Sequence, residues 1–405
     1  MKIEVALVGC GSVGSTLAVQ FLKRGNIEYL KLVDSHLENI ENLTSRLNGM
    51  KSDVSIKTQR ADATDEKEMR QELDEAEIVI NAASPFCNIP MMKACLHSGT
   101  NYIDLASDPF EYSDQKKTTF EAQLELHDDF VKKGLLAVTN AGISPGLTDI
   151  LTKAFIEKYS LDSVDNIEIY LAEEIRSDEF VISWSPHTFL LEYLLPPTIL
   201  KQNEITVLDA EESYRKIEFS PPIGEMKLKV FNGHPELRTI PQYIDKPIDQ
   251  IEIAGAYRLN EMNSDEIILK ALEKQITESF LFQGDILEIL SSSFKGPENF
   301  MDLFNEGIVE NEISEFIYRI KGKKDDEILQ KEVTITHTLK EISKSFPVGT
   351  VSSFMVSFVP VIITEKILEN EIKRVGVIAP AGLEDPMKII EELGDMGLLE
   401  ETYIY

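Results

Sequence analysis

The chain has 405 residues, too many for one ordinary domain, so two or three are expected. Hydrophobic residues make up 43%, enough for a sizeable core, and acids outnumber bases 70 to 40 for a formal charge of −30. Such acidity repels phosphate backbones and anionic lipid heads, which argues against nucleic-acid and membrane-surface partners. Three cysteines, Cys10, Cys87 and Cys95, cannot build a disulfide framework and fit a reducing, cytoplasmic setting. No segment is expected to span a membrane: the most apolar, 348–363, is interrupted by Ser352, Ser353, Ser357 and Pro360. No signal peptide is expected, because the N-terminus enters a strand at once.

Residues 3–8 (IEVALV) read as a strand. Gly9-Cys10-Gly11-Ser12-Val13-Gly14 follows, and Val13, Leu17, Ala18, Phe21 and Leu22 then recur at helical spacing up to Gly25. Residues 29–33 read as a second strand that closes on Asp34. G-x-G-x-x-G between a strand and a helix, with an acid ending the next strand, is the pattern of a dinucleotide site. Gly9 permits the tight turn, Gly11 lets the backbone approach a pyrophosphate, and Gly14 lets helix and strand pack closely. Ser12 and Val13 lie where a helix start offers free N–H groups to phosphates. Asp34 suits a ribose 2′-OH and repels a 2′-phosphate, so NAD is expected over NADP. No Arg follows it directly; Arg46, a helix away, keeps NADP as the lesser alternative.

The alternation continues with strands at 54–57, 77–81, 101–105 and 135–139, and with helices at 89–99 and 117–133. Six strands alternating with helices predict an α/β domain, a doubly wound parallel Rossmann sheet. Ligands of such sheets sit at the C-terminal strand ends. Those ends carry Asp62, then Asn81, Ala82, Ala83 and Pro85, then Asp104, then Asn140-Ala141-Gly142.

A resemblance emerges from the next motif. Gly142-Ile143-Ser144-Pro145-Gly146 enters a helix, and with the N-terminal fingerprint and Tyr102-Ile103-Asp104 it resembles the saccharopine dehydrogenase family. Ile182-Ser183-Trp184-Ser185 is similar to that family's F-S-W-S segment, Gly255-Ala256-Tyr257-Arg258 to its G-x-x-R strand, and Val375 to Pro380 with the helix after it to its ending. The Arg that follows the family's W-S-S is missing here, and His187 stands nearby. The resemblance implies NAD(P)-dependent hydride transfer at a C–N bond of a small amino-acid substrate such as saccharopine or lysine. A carboxynorspermidine-type polyamine dehydrogenase is the neighbouring alternative, and a dinucleotide-binding sensor or regulatory protein without turnover is the rival from another class. A homodimer is also implied.

From about residue 160 the pattern changes to longer alternating strands: Ile167, Ile169 and Leu171; Met226, Leu228 and Val230; Ile251 and Ile253. Residues 316–320 and 333–336 flank a polar turn at 321–327 and read as a hairpin. An α+β domain with a largely antiparallel, open sheet is expected over 151–350, after a dinucleotide-binding domain over 1–150. A helix over 351–369 then leads back, and 351–405 completes the Rossmann lobe.

Amine oxidation needs a proton acceptor and groups that hold the substrate. Asp104, at a strand end, and His187 are the candidate acid–base residues. Trp184, Arg258, Arg238 and His234 are candidates for the substrate: an Arg can clamp a carboxylate with paired donors, and the chain's only Trp can wall a slot. Cys87 reads as packing and His97 as structural. No Cys or His cluster has metal-ligand spacing, so no metal is expected.

Overall fold

The computed structural model describes residues 3–107, 111–112, 117–278 and 290–399. The chain divides into two compact units: Met1–Ser160 with Arg238–Asp245 and Phe354–Tyr405, and Leu161–Leu237 with Lys246–Ser353. The return of Arg238–Asp245 to the first unit, within the helix Glu236–Tyr243, is a crossing that sequence pattern did not reveal.

In the first unit, β1 (Glu4–Val8), β2 (Tyr29–Asp34), β3 (Ser55–Arg60), β4 (Ile78–Asn81) and β5 (Asn101–Asp104) alternate with α1 (Ser12–Arg24), α2 (Leu37–Leu47), α3 (Glu66–Glu72) and α4 (Asn88–Ser98). A short ladder, β6 (Glu111–Tyr112) with β7 (Lys117–Thr118), precedes α5 (Thr119–Leu124), α6 (His127–Lys133) and β8 (Leu136–Val138). The sheet is parallel throughout and has seven strands, not six. The seventh is the C-terminal strand Gly376–Ile378 beside β8. Its order runs from that strand through β8, β5, β4, β1 and β2 to β3. The winding therefore reverses between β1 and β4, and a crevice opens there at the C-terminal strand ends.

β1 and β4 are buried along their whole length, as near-continuous apolar runs in a doubly covered sheet should be. On one face Ala6, Val8, Val33, Val79 and Tyr102 pack against Met91, Met92 and Cys95 of α4. The helix α1 stops at Gly25, which takes a left-handed conformation and returns its N–H to Phe21, with Lys23 and Arg24 facing the helix dipole.

Two expected helices are broken. The stretch 117–133 starts as a strand, because Thr118 and Glu121 form a capping box that begins α5 only at Thr119. It breaks again where the Leu126 N–H turns back to the Gln123 carbonyl, a tight three-residue bond. The stretch 351–369 is two helices, Val351–Val356 and Phe358–Leu368. Pro360 has no N–H for the Val356 carbonyl, and the Ser357 hydroxyl bonds the Phe354 carbonyl instead. Val351–Leu368 does reach the length and apolarity of a membrane span, contrary to expectation, but 78% of it is buried inside the protein.

The second unit is built on a nine-stranded sheet. β9 (Ser163–Ser177) and β14 (Ile248–Leu259) run parallel at its middle, and every other pairing is antiparallel, so the sheet is mixed. β10 (Thr198–Lys201) and β11 (Glu204–Val207) extend it beyond β14. β16 (Val309–Lys324) and β17 (Glu327–Thr338) extend it beyond β9. β12 (Tyr214–Glu218), β13 (Glu225–Val230) and β15 (Met262–Asn263) attach through β14. The β16–β17 hairpin is longer and tighter than expected: the strands meet at Lys324 and Glu327 across Asp325 and Asp326, both at positive φ. Asp tolerates that conformation, which matches the twist of a two-residue hairpin turn.

Candidate functional site

The glycine loop after β1 has the shape of a phosphate cradle. Gly9 sits at φ 96°, where a Cβ would lie 2.7 Å from the Ala82 backbone, and its N–H bonds the Val33 carbonyl at 2.8 Å. A Cβ on Gly14 would lie 1.8 Å from the Gly9 carbonyl oxygen. Both glycines are thus fixed by close approach of loop, helix and the β4 turn. A Cβ on Gly11 would meet nothing within 4 Å. That open space lies at the start of α1, where Gly11 is the N-cap and no acidic residue occupies the first turn. The buried Ser12 hydroxyl there has no hydrogen-bond partner among the described residues. An anion at a helix N-terminus would use the free N–H groups and that hydroxyl, so these residues fit a dinucleotide's pyrophosphate.

Asp34 ends β2 and is 8% exposed. Its Oδ2 accepts the Cys10 N–H at 2.8 Å, and its Oδ1 accepts the His36 N–H at 2.8 Å and Asn39 Nδ2 at 3.2 Å. The carboxylate therefore shapes the loop at the end of β2. Burial and the charge of Asp34 push the Cys10 thiol up to about 12, so it stays protonated. Burial likewise pushes Cys87 up to about 11, which suits a packing role.

Asn81 organises the turn after β4. Its Oδ1 accepts the Ala83 N–H at 3.0 Å and its Nδ2 donates to Asn88 Oδ1 at 2.7 Å, while the Ala82 N–H bonds the Val8 carbonyl at 2.8 Å. Ser84 caps the short turn Pro85–Cys87. Gly9, Gly11, Ser12, Val13, Gly14, Asp34, Asn81, Ala82 and Ala83 thus form one connected set of loops at the switch point. Asp62 is exposed on the turn after β3. It accepts the Thr64 N–H at 2.9 Å and the Thr64 hydroxyl at 2.7 Å, and these bonds hold its carboxyl below the usual range.

Asp104, the expected proton acceptor, ends β5 inside a hydrogen-bond network. It is 1% exposed, and its carboxylate accepts the Asn140 N–H at 2.7 Å and Gln123 Nε2 at 2.5 Å. Burial pushes its pKa up to about 7. The carboxylate is committed to this network and holds Asn140, whose Oδ1 accepts the Ser107 hydroxyl at 2.8 Å. Arg238, also in the first unit, lies 3.9 Å from Glu121, and its Nη1 is buried without a hydrogen-bond partner among the described residues.

In the second unit Trp184 stacks on Tyr257, ring centroids 5.7 Å apart, and its buried Nε1 has no partner among the described residues. Ring contacts continue from Tyr257 to Phe189, Tyr193, Phe231 and finally His234, at 4.8–6.0 Å. His234 Nδ1 bonds the fully buried Glu236. Beneath Trp184, the buried Glu173 accepts the Ser183 hydroxyl. Burial raises its pKa, and burial together with Glu173 raises that of the fully buried Glu312. His187 is half-buried in the first turn of the helix Pro186–Leu194, where the Ser185 hydroxyl accepts the Thr188 N–H.

Arg258 is a correction. Its guanidinium pairs with Glu174 at 2.8 Å and donates to the carbonyls of Ile223 at 2.8 Å and Glu225 at 3.1 Å. Those bonds tie β14 to its neighbours and occupy the fork a substrate carboxylate would need. Sequence reasoning missed Glu173. It shares a face of β9 with Ile167, Ile169 and Leu171, and an acid in that apolar series was the available signal. No group of three His, Cys, Asp or Glu among the described residues could hold a metal.

Comparison with known proteins gives two family matches. Residues 5–138 match the saccharopine dehydrogenase NADP binding domain, and residues 142–398 match the saccharopine dehydrogenase C-terminal domain. Among curated proteins, a carboxynorspermidine synthase of Vibrio cholerae is 26% identical over 268 residues, 62% of each chain. A carboxyaminopropylagmatine dehydrogenase of a Synechocystis species is 28% identical over 169 residues, 41% of this chain and 40% of that protein. The chain thus matches less than two thirds of the length of these relatives. Among solved structures, saccharopine dehydrogenase (L-Glu forming) from Saccharomyces cerevisiae superposes with a TM-score of 0.66 at 15% identity, covering 98% of both chains, which shows a shared fold.

Proposed function

The chain belongs to the saccharopine dehydrogenase family, and on that premise we propose that it is a nicotinamide-dinucleotide-dependent oxidoreductase acting on a C–N bond of a small, carboxyl-bearing amine. The observation that carries this reading is the cradle at the switch point: Gly11 open to space, Gly9 and Gly14 fixed by contact, and the Ser12 hydroxyl without a partner among the described residues. Gly11, Ser12, Val13 and Gly14 would hold the pyrophosphate, Asp34 the adenosine ribose, and the turn Asn81 to Pro85 would border the nicotinamide end. When bound, the dinucleotide supplies two-electron redox chemistry; the chain supplies position and exclusion of water. NAD is the favoured cofactor, supported by the carboxylate of Asp34.

The substrate reading favours a carboxylated polyamine over saccharopine or lysine. The names of the sequence relatives support it, and so does the commitment of Arg258 to Glu174. The stacked rings of Trp184 and Tyr257 suit an amine better than a second carboxylate. Three buried, unpaired cysteines support a reducing, cytoplasmic setting, and the family resemblance supports a homodimer.

The test is a panel of carboxynorspermidine, carboxyaminopropylagmatine, saccharopine and lysine, each with NAD and NADP, followed by absorbance of the reduced nicotinamide. Turnover of a carboxylated polyamine at least tenfold faster than of lysine is expected. Tight dinucleotide binding without turnover of any of the four would instead make the chain a binding protein.

A further inference from the structure

Gly233, His234 and Pro235 form a tight turn between β13 and the helix Glu236–Tyr243. The turn is pinned at both ends. Gly233 takes φ 56°, and its N–H is accepted by the buried Thr198 hydroxyl of β10 at 2.6 Å. The Leu237 N–H returns to the His234 carbonyl at 3.1 Å. Pro235, between His234 and Glu236, has a locked φ. This turn brings His234 Nδ1 onto a carboxylate oxygen of Glu236. The Glu236 side chain is fully buried, whereas the imidazole keeps 11% exposure. Phe231 stacks on the imidazole, ring centroids 6.0 Å apart. The ring is therefore fixed in plane and in tautomer: with Nδ1–H donated to the carboxylate, Nε2 is the nitrogen that takes a proton.

A second acid acts on the pair from another element. Glu192 lies in the last turn of the helix Pro186–Leu194, where no basic residue offsets it, and its Oε2 is buried without a hydrogen-bond partner among the described residues. Burial pushes its carboxyl up to about 8, His234 pulls it down, and Glu236 pushes it up. Lys229 of β13 donates to the Tyr193 carbonyl, and Phe231 and Thr198 bring no charge. Other imidazoles are set differently: His36 and His97 are exposed, and His127 bonds the Val377 backbone. An imidazole held by a buried carboxylate is the arrangement of a general base, since the carboxylate both orients the ring and stabilises the imidazolium that forms.

We propose that His234 is the acid–base residue of the C–N oxidation and that Glu236 is the positioning residue that orients it. The inference rests on the oxidoreductase reading above and deepens it by naming the proton acceptor. In the oxidation, one N–H proton of the substrate ammonium passes to His234 Nε2. The lone pair so released forms the C=N bond as the adjacent C–H bond breaks and its hydride leaves for the nicotinamide dinucleotide. The carbon is oxidised by two electrons, which reduce the dinucleotide, and the proton rests on an imidazolium facing Glu236. In the reverse reaction the same nitrogen returns the proton.

The experiment follows amine oxidation by the full chain with NAD and the fastest substrate of the panel, from about pH 5.5 to 9.5, in wild type, His234→Gln and Glu236→Gln. A thermal melt and an NAD titration check each variant, and NAD affinity should stay within threefold in both. Wild type should lose kcat/KM on the acid side, as the imidazole is protonated. His234→Gln should lose at least 100-fold in kcat, together with that acid limb. Glu236→Gln keeps an oxygen for the Nδ1–H but not the charge. Its acid limb should move down by about one pH unit, and kcat should fall at least tenfold with KM changed less than threefold. A smaller loss in His234→Gln, or an acid limb unmoved in Glu236→Gln, overturns these roles and leaves the oxidoreductase reading standing. If His234→Gln does not fold, the limb of Glu236→Gln decides alone. Wild type that turns over none of the panel overturns both.

Discussion

The carboxylate of Asp104 accepts the backbone N–H of Asn140 at 2.7 Å, and Asn140 is held at φ 62°, a conformation few side chains adopt. The last residue of β5 thus fixes the chain as it leaves β8. Asp104 is buried and its pKa is pushed up to about 7, against about 4 in an unfolded chain. Between those two values the folded protein holds a proton that the unfolded chain has released. Stability from this group is therefore present below about pH 4, falls as pH rises to about 7 by roughly 1.4 kcal/mol per pH unit, and is flat above. Urea denaturation from pH 5 to 8 should show that decline, and Asp104→Asn should reduce its slope. Turnover of Asp104→Asn should stay within tenfold of wild type, because the carboxyl positions Asn140 rather than touching substrate. Parallel stability profiles for the two proteins would mean that the group is already ionised when folded.

Two glycines of the loop separate folding from binding. In Gly14→Ala the new methyl meets the Gly9 carbonyl at 1.8 Å, so backbone must move and stability should fall on the order of 3 kcal/mol. In Gly11→Ala the methyl meets nothing, and Gly11 has φ −75°, which any residue adopts. Its stability should stay within about 0.5 kcal/mol of wild type. NAD affinity should nonetheless drop at least tenfold, because the methyl fills the space a pyrophosphate would take. Thermal melts with and without NAD distinguish the two; normal NAD affinity in Gly11→Ala would move the phosphate away from this loop.

Much of this was legible in the sequence because it is local. The fingerprint Gly9 to Gly14 and the acid Asp34 lie within a single strand–helix–strand unit, where period and spacing carry the information. What was missed depends on pairing between distant segments. Arg258 read as a substrate clamp because its partner Glu174 lies on another strand, 84 residues away. Glu173 was concealed by its strand's otherwise regular alternation. The parallel pairing of β9 with β14 was missed because alternation shows which face a residue takes, not which way its neighbour runs.

Asp34 has two duties, and its variants should show both. In Asp34→Ala three donors, Cys10 N–H, His36 N–H and Asn39 Nδ2, lose an acceptor. Stability should fall by about 1–3 kcal/mol, and NAD affinity by a similar amount through loss of the ribose bond. NADP affinity should change less, because the repulsion of a 2′-phosphate disappears with the charge. Calorimetric titration of both cofactors, alongside a thermal melt, reads the two effects separately. A lowered melting temperature with unchanged NAD affinity would leave the carboxylate as a loop-shaping group alone.

Arg258 should behave as a strand tie. Its guanidinium satisfies the buried Glu174 and the carbonyls of Ile223 and Glu225, so Arg258→Ala leaves one buried carboxylate and two acceptors short of donors. Arg176 also reaches Glu174, at 3.3 Å, and softens the loss. The expected cost is about 1–3 kcal/mol of stability, read as a lower urea midpoint. Because the fork is occupied, the KM of the best substrate in the panel should change less than threefold, and NAD affinity should not change. Removing both partners in Arg258→Met with Glu174→Gln should recover part of the stability, since a buried charge is no longer left unpaired. A KM raised tenfold or more at unaltered stability would return Arg258 to the substrate side and place Glu174 as its orienting partner.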